Sequence, residues 1–175
     1  VAGTYDATAW IHPEDRHLLA DPMAGISRES ASMLLGGRYE FTEPDEVAEL
    51  ADGQRLELAG LEVVVDHTPG HTRGSVTFRT PYDGDGVSDV MFSGDLLFEG
   101  SIGRTDLPGG DHATMLETLR HKVLTLPDDV VVLPGHGGQT SIGRERATNP
   151  FLLDLLPAGA DGPADAGVER VTRGL

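Results

Sequence analysis

The chain has 175 residues, the length of one domain with a buried core of its own. Its formal charge of −16 would repel a phosphate polymer, so we expect no nucleic acid and no anionic membrane as a partner. It has no cysteine, so a bound metal would need histidine and carboxylate ligands. The absence of cysteine also fits a reducing cytoplasm. No run approaches the ~20 apolar residues of a membrane span, and no signal peptide is visible.

The first part of the chain predicts a strand, two helices and a hairpin. Residues 8–11 form a β-type run, and Pro13 opens a helix with acidic residues in its first turn. Residues 28–35 indicate a second, two-turn helix. Residues 54–58 and 61–65 flank Ala59-Gly60, which is typical of a β-hairpin.

The later part of the chain predicts single strands that alternate with helices. Strands are expected at 74–79, 87–92 and 130–133. Because hairpins come first and helices alternate with strands afterwards, the pattern predicts an α/β (α+β) fold, with a mixed sheet layered with helices.

Two helices are expected in this later part. Asp111 is placed to cap the first, whose apolar residues recur at helical spacing up to Val123. The second runs over 142–156 and is interrupted at Asn149-Pro150. The glycine-rich segment 99–111 between strand and helix is expected to shape a site.

Three predicted strands end at a glycine and then present one potential metal ligand each. These ligands are His71, Asp95 and His136. A strand end followed by glycine places the next side chain at the rim of a sheet, where the backbone is held. Two imidazoles and a carboxylate suit zinc, iron or manganese better than magnesium or calcium. The pattern therefore predicts a metal site assembled from separate strands, in which a carboxylate can bridge two metals.

The other histidines are assigned structural roles. His67 is expected to pack or to support a ligand, because it lies on the strand side of the turn. The remaining four lie in predicted helices or their first turns and are expected at the surface: His12, His17, His112 and His121. No GxSxG occurs, and Ser101 lacks its spacing, so no serine nucleophile is expected.

The three ligand segments resemble the metallo-β-lactamase superfamily, and within it the short glyoxalase II-like hydrolases, or hydroxyacylglutathione hydrolases. The likeness rests on TPGHT at 68–72, Gly94-Asp95 with GRTD at 103–106, and PGHG at 134–137. It extends from about Trp10 to Leu152 and implies an αββα sandwich with the metal site at one edge. The implied domain covers residues 1–156, followed by a frayed tail at 157–175.

The resemblance also implies a role for each ligand. His71 is similar to a ligand of the first of two divalent metal ions, Asp95 to the bridging and catalytic carboxylate, and His136 to a ligand of the second ion. Zinc is the implied metal, with iron and manganese as alternatives. The implied reaction is hydrolysis of small-molecule thioesters such as S-2-hydroxyacylglutathione, and no substrate-binding residue is identified.

One motif of that family, HxHxDH, does not occur in the 175 residues. We expect it to precede Val1 together with the first strands of the fold, so that this chain is the C-terminal portion of a longer protein. This exact chain would hold only three of the seven expected ligands. We therefore expect it to bind little or no metal and to hydrolyse substrate weakly. The sheet surface left uncovered predicts self-association.

Two other functions stay open at this point. A persulfide dioxygenase, which also carries a GRTD segment, would use a single iron. A metal-free binding scaffold would keep the fold without the chemistry.

Overall fold

The computed structural model describes residues 7–26, 41–84 and 86–157. The strands are β1 (Ala9–Ile11), β2 (Val47–Glu49), β3 (Arg55–Leu58), β4 (Leu61–His67), β5 (Val76–Gly84), β6 (Val87–Gly94), β7 (Leu97–Phe98), β8 (Ser101–Ile102), β9 (Val131–Pro134) and β10 (Thr140–Ser141). The helices are α1 (His17–Ala20), α2 (His112–Thr118), α3 (Ile142–Thr148) and α4 (Pro150–Leu153), with 3₁₀ turns at Pro13–Asp15 and Pro22–Gly25 and a π turn at Leu119–Val123. The predicted helix at 28–35 and the tail after Pro157 lie outside the described residues, so the domain boundary at residue 156 stays a prediction.

Six strands form the main sheet in the order β10-β9-β6-β5-β4-β3. All neighbours are antiparallel except β6 and β9, which are parallel, so the predicted mixed sheet is confirmed. Strands β1 and β2 form a separate parallel pair, and β7 and β8 form a short hairpin. None of the helices in the described part of the chain has the length and apolar character that crossing a bilayer requires.

The predicted hairpin is present as β3 and β4. Ala59 and Gly60 both have positive φ, 52° and 82°, which is the backbone twist that a two-residue hairpin turn needs. Strand β4 continues past its predicted end to His67, because its last residues still pair with the start of β5. Likewise β5 extends to Gly84 instead of ending at residue 79, since its end pairs with the start of β6.

The helices cover one face of the sheet. Met91 of β6 and Val132 of β9 point to this face and are fully or almost fully buried. Side chains of α2, the π turn, α3 and α4 pack on them: Met115, Leu119, Val123, Ile142 and Leu152. Each such buried side chain contributes about 1.5–3 kcal/mol to folding, so this layer is the main source of stability.

The predicted helix cap and the predicted helix interruption are both observed. Asp111 caps α2 by accepting a hydrogen bond from the Thr114 backbone N–H at 2.7 Å. The predicted interruption at Asn149-Pro150 separates α3 from α4, and Asn149 caps α4 through the Phe151 N–H at 3.1 Å. The start of α2 and the break between α3 and α4 therefore follow the local sequence.

The opposite face of the sheet is only partly covered. Leu56 and Val65 are buried there with Leu50, whereas Leu61 is 52% exposed and Phe92 45% exposed. Neighbouring side chains on a strand alternate between faces, so Phe92 and Met91 lie on opposite sides. We call this surface the open sheet face. Self-association through it stays a prediction.

Candidate metal centre

The three predicted ligands follow strands β4, β6 and β9 at one rim of the sheet. Asp95 comes directly after Gly94, the last residue of β6, which has a φ of 51°. His136 follows β9, and the Gly135 N–H donates to the Gly94 carbonyl at 2.8 Å. Because β6 and β9 are parallel neighbours, their ends bring Asp95 and His136 side by side.

His71 reaches the same rim from a turn that needs glycine. Gly70 has a φ of 142°, and a Cβ at this position would lie 2.6 Å from the Cα of Met115 in α2. The turn is tied to the start of that helix, because the Asp111 N–H donates to the Gly70 carbonyl at 2.9 Å. The close approach of the turn to α2 fixes where His71 stands.

Both imidazoles face the same oxygen of Asp95. The Nε2 atom of His71 lies 3.6 Å from Asp95 Oδ2, and the Nε2 atom of His136 lies 3.9 Å from it. These separations are too long for hydrogen bonds. The carboxylate therefore stands between two imidazoles, which is the arrangement that a bridging role for Asp95 requires. Ligation of metal by these three residues stays a prediction.

The His71 ring is held in one tautomer. Its Nδ1 lies 2.8 Å from the backbone carbonyl of Arg104, so Nδ1 carries the proton and donates it to that oxygen. In the neutral ring the lone pair is then on Nε2, which is the atom that faces Asp95. Histidines that bind metals have this pattern, in which the second ring nitrogen donates to a carbonyl or a carboxylate.

The His136 ring is held differently. Its side chain is 73% exposed and stacks on Phe98, with ring centroids 4.5 Å apart and an angle of 27° between the planes. Among the described residues, no group hydrogen-bonds to this ring. The stack is thus the main contact that orients His136.

The donor set fits a divalent transition metal in its chemistry: two neutral imidazole nitrogens and a carboxylate converge from three strand ends. In residues 7–26, 41–84 and 86–157, no group of three or more histidine, aspartate or glutamate side chains is arranged to hold one ion. A zinc site takes three or four protein ligands, so these residues fit as part of a ligand set.

A cavity of about 450 Å³ opens beside Asp95 and His136. Phe98 and Ile102 form its apolar wall, and Arg104 lies at its edge. The Arg104 guanidinium makes a two-point hydrogen bond to Asp106, at 2.8 and 2.7 Å, which lowers the pKa of that carboxyl to about 2. The glycine-rich segment thus lines this cavity, and it contains the short β7–β8 hairpin as well as loop.

Asp15 supports the His71 turn, a role that the sequence did not indicate. Its carboxylate accepts hydrogen bonds from the Thr72 hydroxyl at 2.5 Å and from the Gly74 N–H at 2.8 Å. The sequence assigned Asp15 only a favourable charge at a helix start. Its partners lie 57 and 59 residues away in the chain. No local pattern reports such a contact.

The other histidines lie outside the three-residue cluster. His67 stacks on His12 with centroids 3.9 Å apart, and its Nε2 lies 2.9 Å from the Arg73 carbonyl. Burial and then the neighbouring His67 lower the pKa of His12. The remaining three are exposed: His17, His112 and His121.

The fold and the ligand cluster together define an α/β protein of the metallo-hydrolase type. The chain belongs to the metallo-β-lactamase superfamily, whose family profile matches residues 1–136. A Mycobacterium tuberculosis protein is 47% identical over 156 residues, which are 89% of this chain and 69% of that protein. Hydroxyacylglutathione hydrolase GloC of Haemophilus influenzae is 44% identical over 101 residues, 58% of this chain and 45% of the enzyme. The match to GloC supports the glyoxalase II-like branch.

Solved structures show the same fold. The BLEG-1 B3 metallo-β-lactamase is 39% identical with a TM-score of 0.68, and the match covers 86% of this chain and 68% of that one. TTHA1623, crystallised in a di-iron-bound form, is 38% identical with a TM-score of 0.64 over the same shares. The predicted metallo-β-lactamase-like fold is therefore confirmed.

Proposed function

We propose that this protein is a metal-dependent hydrolase that cleaves thioesters of the 2-hydroxyacyl-thiol type, such as S-2-hydroxyacylglutathione. The observation that carries the proposal is the position of Asp95, with one carboxylate oxygen within 4 Å of the Nε2 atoms of both His71 and His136. The adjoining cavity of about 450 Å³ has the size of a small-molecule site. The likeness to GloC supports this substrate class.

The proposed ligand roles are those that the resemblance to the superfamily implies, and the two distances to Asp95 Oδ2 support them. His71 would hold the first of two divalent ions, His136 the second, and Asp95 both. Such ions, for which we propose zinc, supply a Lewis acid and a hydroxide at neutral pH when bound. Asp95 would keep the two positions adjacent, and the hydrogen bond from Nδ1 to the Arg104 carbonyl leaves Nε2 as the nitrogen of His71 that would bind.

The cavity wall suggests how the substrate would lie. Phe98 and Ile102 present an apolar surface that excludes water from one side of the acyl group. Two charged side chains also line the cavity: Glu99, which pairs with Arg144 at 2.5 Å, and Arg104, which pairs with Asp106. A substrate with a small acyl group and a polar thiol carrier matches a cavity that has both an apolar wall and charged side chains.

Turnover of S-lactoylglutathione by the full-length protein tests the proposal. His71→Ala and Asp95→Asn should each lower kcat/KM by about 100-fold or more, because each removes a proposed ligand. His121→Ala is the matched control, since this imidazole is 70% exposed and pairs with Glu117. Rates in both ligand variants equal to the His121→Ala rate would remove these residues from the mechanism.

An iron-dependent persulfide dioxygenase is a second candidate. The GRTD segment at 103–106 supports it. TTHA1623, 38% identical to this chain, was crystallised in a di-iron-bound form, which supports iron as a metal but not a single-iron site. Metal analysis of the full-length protein separates the two functions. Two zinc ions with thioester turnover support the hydrolase, and one iron with oxygen uptake on a persulfide supports the dioxygenase.

A metal-free binding scaffold is the third candidate. It is favoured by the lack, among the described residues, of a three-ligand group for one ion. Full-length protein that binds no metal in equilibrium dialysis against Zn²⁺ would support it. We also propose a cytoplasmic location and a small-molecule partner, and exclude nucleic acid because of the charge of −16.

A further inference from the structure

Helix α3 contains a carboxylate that is completely buried. Glu145 is 0% exposed, and among the described residues no lysine, arginine or histidine pairs with it. Its oxygens accept three hydrogen bonds instead, from the Thr140 hydroxyl at 2.5 Å, the Gly100 N–H at 2.8 Å and the Asn149 side-chain amide at 2.9 Å. A buried carboxylate is unfavourable unless such donors surround it, so its position indicates a specific task.

One of these three donors, the Gly100 N–H, belongs to the hairpin that walls the cavity. Gly100 is in the turn between β7 and β8 and has a φ of 67°. The Asn149 amide nitrogen also lies 3.1 Å from the Ser101 carbonyl and 3.5 Å from the Phe98 carbonyl. Glu145 and Asn149 therefore hold the backbone of this hairpin from the side of α3. We call these two residues the hairpin clamp.

The hairpin in turn presents the ring that contacts His136. Phe98 belongs to β7, one residue after the buried Leu97. Its ring is the surface on which His136 stacks. His71 is oriented by a hydrogen bond to the Arg104 carbonyl, whereas the described residues provide His136 with no such bond. The orientation of His136 thus depends on where the hairpin places Phe98.

We propose that Glu145 and Asn149 are positioning residues, which hold the β7–β8 hairpin so that Phe98 keeps His136 directed toward Asp95. The importance of this orientation for catalysis rests on the proposed function. The physical link from the hairpin clamp to the stack of Phe98 on His136 is independent of the proposed function, and it can be measured without turnover.

The test compares variants of the full-length protein by NMR and by Zn²⁺ affinity. In the wild type, the ring current of Phe98 should shift the His136 ring protons away from their usual positions, at constant pH and without metal. Glu145→Ala removes the acceptor for three donors and should abolish this shift. It should also weaken Zn²⁺ binding by about 10- to 100-fold, the range seen when groups that orient a ligand are removed.

Glu145→Gln is the conservative variant. Its amide oxygen can accept from Gly100 and Asn149 while its NH₂ donates to the Thr140 hydroxyl. Gln should therefore restore the His136 shift and most of the Zn²⁺ affinity. This outcome would show that hydrogen bonds of the right length, and not the negative charge, hold the hairpin.

Val123→Ala controls for loss of stability. Val123 is fully buried in the π turn and makes no hydrogen bond to the hairpin, so this variant lowers the melting temperature and should leave the His136 shift in place. If Glu145→Ala does not fold, Glu145→Asp serves in its place, because the shorter side chain withdraws the carboxylate from Gly100.

A His136 shift in Glu145→Ala equal to that in Val123→Ala would overturn the proposal. It would show that the hairpin keeps Phe98 in place without the hydrogen bonds that Glu145 accepts. Failure of the full-length protein to hydrolyse S-lactoylglutathione would instead refute the proposed function and leave the ring-stack result intact. The two failures are thus distinguishable.

Discussion

Gly135→Ala should damage the site without unfolding the protein. Gly135 follows β9 and precedes His136, and a Cβ at this position would lie 2.7 Å from Asp95 Oδ1. An ordinary contact begins near 3.4 Å, so the carboxylate must move by about 0.7 Å or the two strand ends must separate. The φ of Gly135 is not in the left-handed region, so the added methyl acts through this contact and not through backbone strain.

The expected loss follows from the size of this displacement. A shift of about 1 Å in a catalytic group can cost about 100-fold in rate. For about 0.7 Å we expect kcat/KM to fall roughly 10- to 100-fold, equivalent to about 1.4–2.7 kcal/mol of transition-state stabilisation. The added methyl should lower the unfolding free energy by about 1–3 kcal/mol at most, because the Asp95 side chain can rotate away from it.

Turnover of S-lactoylglutathione and the melting temperature, both measured on full-length protein, test this prediction. Gly138→Ala is the matched control. Its Cβ would meet only Glu99 Oε2, at 3.1 Å, which is the end of a flexible side chain. Wild-type kcat/KM in Gly135→Ala, or an equal loss in Gly138→Ala, would refute the reasoning that Asp95 must keep its position.

Three further predictions concern stability and assembly. Gly70→Ala places a Cβ against the Met115 backbone at a φ of 142°, and should lower the unfolding free energy by about 2–5 kcal/mol. Gly53→Ala, with a φ of 75° and open space, should cost only about 1–2 kcal/mol in the same denaturation experiment, and equal losses would contradict the clash. His12 has a lowered pKa in the folded state, so the fold disfavours its protonation and the unfolding free energy should fall as pH drops below the unfolded value of 6.5. His12→Gln should reduce that dependence in urea titrations, and an unchanged slope would exclude this histidine. For the 175-residue chain, light scattering should show self-association that Phe92→Glu on the open sheet face weakens; a strictly monomeric wild type would contradict this.

The sequence predicted most of what local pattern controls. The hairpin at Ala59-Gly60 was predictable because both residues must adopt positive φ, and few pairs do so readily. The positions of the three candidate ligands at the rim were predictable because a glycine precedes each of them after a strand; their binding of metal stays a prediction. Their proximity then followed from the rule that strand ends meet at a sheet rim.

What the sequence did not predict depends on contacts between distant segments. Strand β5 extends to Gly84 only because β6 pairs with it, which local propensity does not report. The carboxylates of Asp15 and Glu145 act on backbone 59 and 45 residues away, respectively. In the sequence, Asp15 looks like a charge in a first helical turn and Glu145 like a polar residue on a surface helix. Only the folded chain shows which backbone groups they serve.

The pairing of β6 with β9 has a consequence for how the protein would fail on heating. Asp95 and His136 stand at the ends of adjacent interior strands, whose spacing of about 4.8 Å is set by the sheet itself. The amides near Gly94 and Gly135 should exchange with deuterium as slowly as the central strands do, in contrast to the rim loops. Thermal inactivation should thus coincide with melting of the sheet, because Asp95 and His136 stay adjacent as long as β6 and β9 remain paired.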